Sequence, residues 1–156
     1  MRLRLPSFKA AAIGGMALLV LAQALRPART NPPIDPSRTI EASTNMSPEV
    51  RAVLERSCRD CHSNATRWPW YSNVAPVSWL VISHVNRARE DMSLSNWAAY
   101  DPDKSRELLG EMCEEVKAGD MPLGSYLLAH PSASLSDDDV RVLCEWTDWE
   151  RAATGR

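Results

Sequence analysis

The pentapeptide Cys58-Arg59-Asp60-Cys61-His62 limits what this 156-residue chain can become more than any other stretch of it. CxxCH is the attachment signature of a c-type haem, in which two thiols add to the porphyrin vinyl groups and the imidazole binds the iron. Two intervening residues near a helix end bring both sulfurs to one edge of the macrocycle, and the next residue turns its ring under the metal. A haem held in this way is a covalent part of the fold. Two other chemistries also use a CxxC. A zinc site wants a second thiolate pair or a spaced histidine pair, and Cys113 and Cys144 stand apart as singles. A thioredoxin-like pair sits in a βαβ pattern, of which the sequence carries no sign.

The length fits one domain with an appendage. The formal charge of -2 hides an asymmetry: residues 1–29 hold Arg2, Arg4, Lys9, Arg26 and Arg29 and no acid, leaving 13 basic against 20 acidic residues beyond. An acidic domain, to which haem propionates add further negative charge, argues against a nucleic-acid partner. It suits a basic protein partner or none at all, and a monomer is expected.

Residues 1–25 form the appendage. A basic start, Met1 to Lys9, precedes Ala10 to Leu25, an uncharged and mostly apolar run of 16 residues. Such a run is an export signal or a membrane anchor. At about 1.5 Å per residue it covers about 24 Å, so as a single-pass anchor it needs Lys9 and Arg26 to snorkel or the bilayer to thin. Ala22-Gln23-Ala24 also serves as a small-x-small cleavage site, which leaves a soluble periplasmic protein open. Either way the rest is exported from a bacterial cytoplasm, with the haem domain in the periplasm, where disulfides persist. Residues 26–46 read as a linker: Pro27, Pro32, Pro33 and Pro36 block helix and favour an extended, semi-rigid tether.

The haem domain is expected over 47–151. Ser47 caps a helix, Pro48 fits its first position and Glu49 meets the positive end of its dipole. Val50, Val53, Leu54, Ser57, Cys58 and Cys61 repeat at threes and fours, so the apolar stripe and both thiols share a side and place the haem against the core. The loop that follows carries Arg67, Trp68, Trp70 and Tyr71 around Pro69. These are either ordinary packed aromatics or a wall whose N–H and O–H donors suit haem propionates. The second nitrogen of His62 is expected to donate to a backbone carbonyl, near Pro76.

The run CHSNATRWPWYSNVAPVSWLVISHV resembles the bacterial haem-binding domain family, small single-haem, cytochrome-c-like envelope proteins. In that family a membrane segment and a tether ending like Arg29-Thr30-Asn31-Pro32-Pro33 precede CxxCHSN and the WPWYS loop. A segment like Met121-Pro122-Leu123, with Tyr126 and His130-Pro131, follows. The likeness extends from the anchor to Trp146 and implies one covalently bound haem c.

Val77 to Arg89 reads as a second helix with Val77, Leu80, Val81, His84, Val85 and Ala88 on one face. His84 there is either a packed, hydrogen-bonded histidine or an axial ligand. Ser93 or Ser95 opens a turn carrying Trp97 and Tyr100. Asp101-Pro102 then caps a third helix through Leu108, Leu109, Met112, Cys113 and Val116, and Gly119 ends it. Met121-Pro122 resembles the distal methionine loop of cytochromes c, and its thioether suits iron. Met121 is therefore favoured as sixth ligand over Met92, Met112 and His130, against the alternative of a gap-filling core methionine. Ser136 to Asp139 forms a capping box for a last helix, with Val140, Leu143, Cys144 and Thr147 inward and Trp146 and Trp149 at the flanks. Cys113 and Cys144 are left either as a disulfide, closing a loop of about 30 residues worth roughly 3 to 4 kcal/mol on the chain-entropy model, or as two buried free thiols, and the exported compartment favours the disulfide.

The expected architecture is all-α, a cytochrome-c-like helical domain around one covalent haem, preceded by an N-terminal membrane segment. The expected function is one-electron transfer with a redox partner protein, with Cys58 and Cys61 as anchors and His62 and Met121 as iron ligands. The alternative is a haem-based sensor in which a small ligand takes the sixth position; a peroxidase-like enzyme is weaker, because no distal acid–base residue stands out apart from His84 and His130.

Overall fold

The computed structural model describes residues 8–154. Every regular element among them is helical and none is a strand, as the all-α expectation requires. Arg2 and Arg4 of the basic start lie outside the described residues. The chain divides into two compact units.

The first unit takes in the chain up to Thr30 together with Trp68–His84. It opens with α1, Phe8–Ala24, which has no buried residue. At 17 residues α1 is about 25 Å long, shorter than a bilayer core of about 30 Å. No helix among the described residues is long and apolar enough to cross a membrane, so the expected single-pass span is not seen. A 3-10 turn, Trp70–Asn73, follows in this unit. The long helix Val77–Asp91, here α5, begins in the first unit and ends in the second. Its buried side only partly matches the expected one: Val85 is buried as expected and Val81, His84 and Ala88 are half-buried, but Val77 and Leu80 are exposed and Ser78 and Ile82 are buried instead. Apolar side chains surround this helix, so periodicity alone does not single out one face.

The second unit comprises Asn31–Arg67 and Val85–Arg156. It begins inside the region expected to be an extended tether. Asp35 caps a 3-10 turn, Pro36–Arg38, and Thr39 caps the short helix α2, Ile40–Ser43. Ile40 is completely buried, which puts this stretch in the core instead of outside it. Prolines at 32, 33 and 36 bar a long helix, but four residues beyond the last of them form a turn once Ile40 has a core to enter.

Three capped helices build the rest. In α3, Pro48–Ser57, Ser47 Oγ accepts the Val50 N–H at 3.3 Å. In α6, Pro102–Ala118, Asp101 accepts the Lys104 N–H at 2.8 Å. Gly119 ends α6 with φ +78°, a left-handed conformation that suits a residue lacking Cβ. The last helix, α8, is Asp137–Thr154; two short helices precede it, α4, Arg59–His62, and α7, Gly124–Leu127. Its capping box is reciprocal: Asp139 N–H donates to Ser136 Oγ, and Ser136 N–H to Asp139 Oδ2 at 2.8 Å. α6 and α3 both pack against α8. Their seam buries Val50, Val53, Leu54, Leu108, Leu109 and Leu143, each side chain worth about 1.5 to 3 kcal/mol on burial. Cys113 and Cys144 are joined by a disulfide between α6 and α8. Trp146, expected at a flank, is buried in this core, while Trp149 is half exposed.

Candidate functional site

The CxxCH pentapeptide continues α3 by one tight turn. Cys58 closes α3, its N–H bonded to the Leu54 carbonyl, and α4, Arg59–His62, starts at once. Cys58 O accepts from both Cys61 N–H, at 3.2 Å, and His62 N–H, at 3.0 Å. One carbonyl thus holds the second thiol and the histidine in a single turn with the first thiol. Neither cysteine is in a disulfide, both are half-buried, and Cys58 packs against the hydrophobic core. Burial pushes the Cys58 thiol up to about 12 and the Cys61 thiol up to about 11, outweighing Arg56 near the first and Arg89 near the second. Both are therefore protonated at neutral pH, unlike the low-pKa thiolates of a redox dithiol.

His62 Nδ1 lies 3.0 Å from the Met92 carbonyl. A carbonyl oxygen only accepts, so Nδ1 carries the proton and the Nε2 lone pair is the one that can bind a metal. Burial lowers the pKa of His62, opposed by the Met92 and Ala88 carbonyls and by Asp91. The partner carbonyl is therefore Met92's, not one near Pro76. Met92 directly follows α5, where the last helical carbonyls have no intrahelical donor and are open to a side chain.

Asp60, between the two cysteines, is the centre of a polar cluster that no sequence motif marks. Its Oδ1 accepts from Arg67 N–H and Nε, both at 3.2 Å, and its Oδ2 accepts from Tyr126 O–H at 3.0 Å. Arg67, expected to serve propionates, is thus engaged by a carboxylate that raises its pKa. Tyr126 stacks on His130 with ring centroids 4.2 Å apart, and burial, then Asp60, pushes its phenol up. His130 Nδ1 lies 3.3 Å from the Tyr126 carbonyl. The loop after His62 is clamped by Arg89, which donates to the Ser63 carbonyl at 2.8 Å, Thr66 Oγ1 at 2.7 Å and Asn31 Oδ1 at 3.1 Å. Asn31 returns a bond to the Thr66 carbonyl at 2.9 Å. A lone arginine at the polar end of a helix gave no pattern to find; the Asn31 and Tyr126 positions were visible only in the family resemblance.

Met121 lies in the loop after Gly119, its N–H bonded to the Glu115 carbonyl at 3.3 Å and its peptide bond to Pro122 cis. The side chain is half-buried, packs on the same core as Cys58, and helps line a groove of about 660 Å³ with Val116, Leu127, Leu135 and Val140. Trp68, Trp70, Tyr71 and His84 belong to the first unit. There Trp70 and Tyr71 meet edge to face at 5.9 Å, and Trp70 is largely exposed.

These residues fit a haem. Two thiols outside any disulfide share one helical turn with an imidazole whose tautomer presents Nε2, which is the donor set that covalent attachment and axial ligation require. Among the described residues no cluster of three or more His, Cys, Asp or Glu side chains is arranged to hold a metal ion by itself. Searches of curated proteins and of solved structures found no match. A family model described as a haem-binding domain matches residues 17–148, nearly the whole chain. The chain therefore belongs to the haem-binding domain family and is a haem-binding protein.

Proposed function

We propose that the protein is a c-type, single-haem, one-electron carrier, held by its N-terminal segment at the periplasmic face of a bacterial inner membrane. The observation that carries this reading is the one-turn arrangement of Cys58, Cys61 and His62, with the His62 ring held by the Met92 carbonyl. Cys58 and Cys61 would bond the porphyrin edge, His62 Nε2 would bind the iron, and Met121 would supply the sixth ligand. The haem supplies one-electron redox chemistry when bound.

The chain's own contribution is placement. Cys58 O fixes the turn, the Met92 carbonyl orients the imidazole, and the Arg89 clamp holds the backbone that leaves the motif. Hydrogen bonding of the distal ring nitrogen sets ligand orientation and basicity, as at other metal-bound histidines. Met121 packs against the hydrophobic core on one side and lines a groove of mixed character, with Val116, Leu135 and Val140 beside Lys117, Asp137 and Arg141, and its thioether is a soft donor suited to iron. Beyond Arg29 the chain carries 20 acidic and 13 basic residues, so a redox partner with a basic docking face is the complementary one.

Oxidised and reduced absorption spectra of the exported holoprotein, beside a Met121→Ala variant, test the assignment. A ferric methionine–iron charge-transfer band in the parent that disappears in the variant is the expected result. A high-spin parent spectrum that the substitution leaves unchanged would remove Met121 as ligand and put small-ligand sensing ahead of electron transfer.

A further inference from the structure

The first unit carries no acidic residue at all: Lys9, Arg26 and Arg29 are its only charges among the described residues, and every one of the 20 acids falls in the second unit. It is also where the exposed apolar side chains gather. Besides α1 itself, Trp70, Val74, Val77, Trp79 and Leu80 are all exposed.

These residues sit on a segment tied to the end of α1. The Gln23 side-chain amide pairs with both backbone groups of Ala75, accepting its N–H at 3.0 Å and donating to its carbonyl at 3.2 Å. Trp79 Nε1 donates to the Leu25 carbonyl at 3.1 Å, just beyond the helix. Arg26 donates to the Asn73 carbonyl, and Arg29 lies 3.5 Å from Ser72 Oγ. The polar groups that would otherwise stop the apolar run at Gln23 are thus satisfied within the protein. A backbone and amide satisfied this way can enter the hydrocarbon layer, where no water is present to pair them.

We propose that residues 70–80 and the end of α1 form one collar that seats in the interface of an anionic phospholipid bilayer. Trp70 and Trp79 are the interfacial anchors, Val74, Val77 and Leu80 enter the upper acyl region, and Arg26 and Arg29 meet phosphates. This inference rests on the membrane anchoring proposed above and adds the surface that contacts lipid.

With Cys58 and Cys61 bonded to haem and Cys113 bridged to Cys144, a Leu80→Cys substitution supplies a single thiol for a nitroxide label. The full-length holoprotein is reconstituted in vesicles of three parts phosphatidylethanolamine to one part phosphatidylglycerol and floated on a density gradient. Collision with oxygen is then compared with collision with a water-soluble nickel chelate. The Leu80→Cys and Val74→Cys labels are expected to favour oxygen several-fold over a Leu128→Cys label, which marks an exposed position of the second unit. Failure to float overturns the anchor and the collar with it. Floating with a Leu80 label as open to nickel as the Leu128 label overturns the collar alone. So does a label shielded from both reagents, which would show that protein covers this surface.

Discussion

Trp97 and Trp70 are the same residue type put to opposite uses: Trp97, in the second unit, is 3 % exposed, and Trp70, in the first, is 78 % exposed. Trp97 meets Tyr100 edge to face at 5.6 Å within a closed core, whose surroundings carry every acidic residue of the chain. Trp70 also has an aromatic neighbour, Tyr71, yet its unit buries only a few apolar side chains, Ala75 and Ile82 among them, leaves most of the larger ones uncovered and has no acid to keep them in water. The second unit has the composition of a domain that meets solvent. The first has the composition of one that meets something apolar.

Substitutions break this comparison where it is strongest. Trp97→Ala is expected to lower stability by about 3 to 5 kcal/mol, the range for emptying an aromatic core site, measured by denaturant unfolding of the holoprotein. Replacing Cys113 and Cys144 together by serine removes the cross-link between α6 and α8, and about 3 to 4 kcal/mol should be lost for a loop of that length. An unchanged unfolding midpoint would mean that the α6–α8 seam is held by packing alone.

A smaller effect is expected at the start of α8. The Ser136 N–H and hydroxyl, with Arg56 adding, hold the Asp139 carboxyl below its ordinary value of 3.8. A carboxyl depressed in the folded state stabilises fully above that ordinary value, and its contribution is lost as pH falls through the folded value. Asp139→Asn keeps an oxygen for the Ser136 N–H but loses the charge that faces Arg56 and the helix N-terminus, so it should lower stability by up to about 1 kcal/mol at neutral pH and flatten part of the acid limb of the stability curve. An acid limb with unaltered slope would remove Asp139 from it. The smallest effect belongs to Trp70→Ala, within about 0.5 kcal/mol in detergent, as for other surface positions. A loss as large as that of Trp97→Ala would mean that Trp70 is packed and would undo the contrast between the units.

What could be read from residue types differs from what could not in a regular way. Ser47, Asp101, Ser136 and Gly119 mark helix ends through side-chain or glycine chemistry written at a single position, and the structure uses each of them. The CxxCH turn is legible for the same reason. Ile40 was hidden because a four-residue helix is too short to show a period, and nearby prolines spoke for extended chain. The buried side of α5 was hidden because Val77, Trp79, Leu80, Val81, Ile82 and Val85 point to several faces at once. The Met92 carbonyl, which orients His62, leaves no trace in residue type, since every residue has a carbonyl. The Asp60–Tyr126 bond joins positions 66 residues apart, and a single sequence holds no signal for such a pairing.

Covalent haem attachment through Cys58 and Cys61 is the central claim, and the intact mass of the denatured protein tests it most directly. The chain, exported in cells that carry haem-attachment machinery, is expected to weigh its own mass plus one haem, and a Cys58→Ala, Cys61→Ala variant made alongside it the chain alone. A parent that releases its haem on denaturation and weighs no more than the polypeptide would contradict the account, leaving a haem-binding protein whose two motif thiols serve something else.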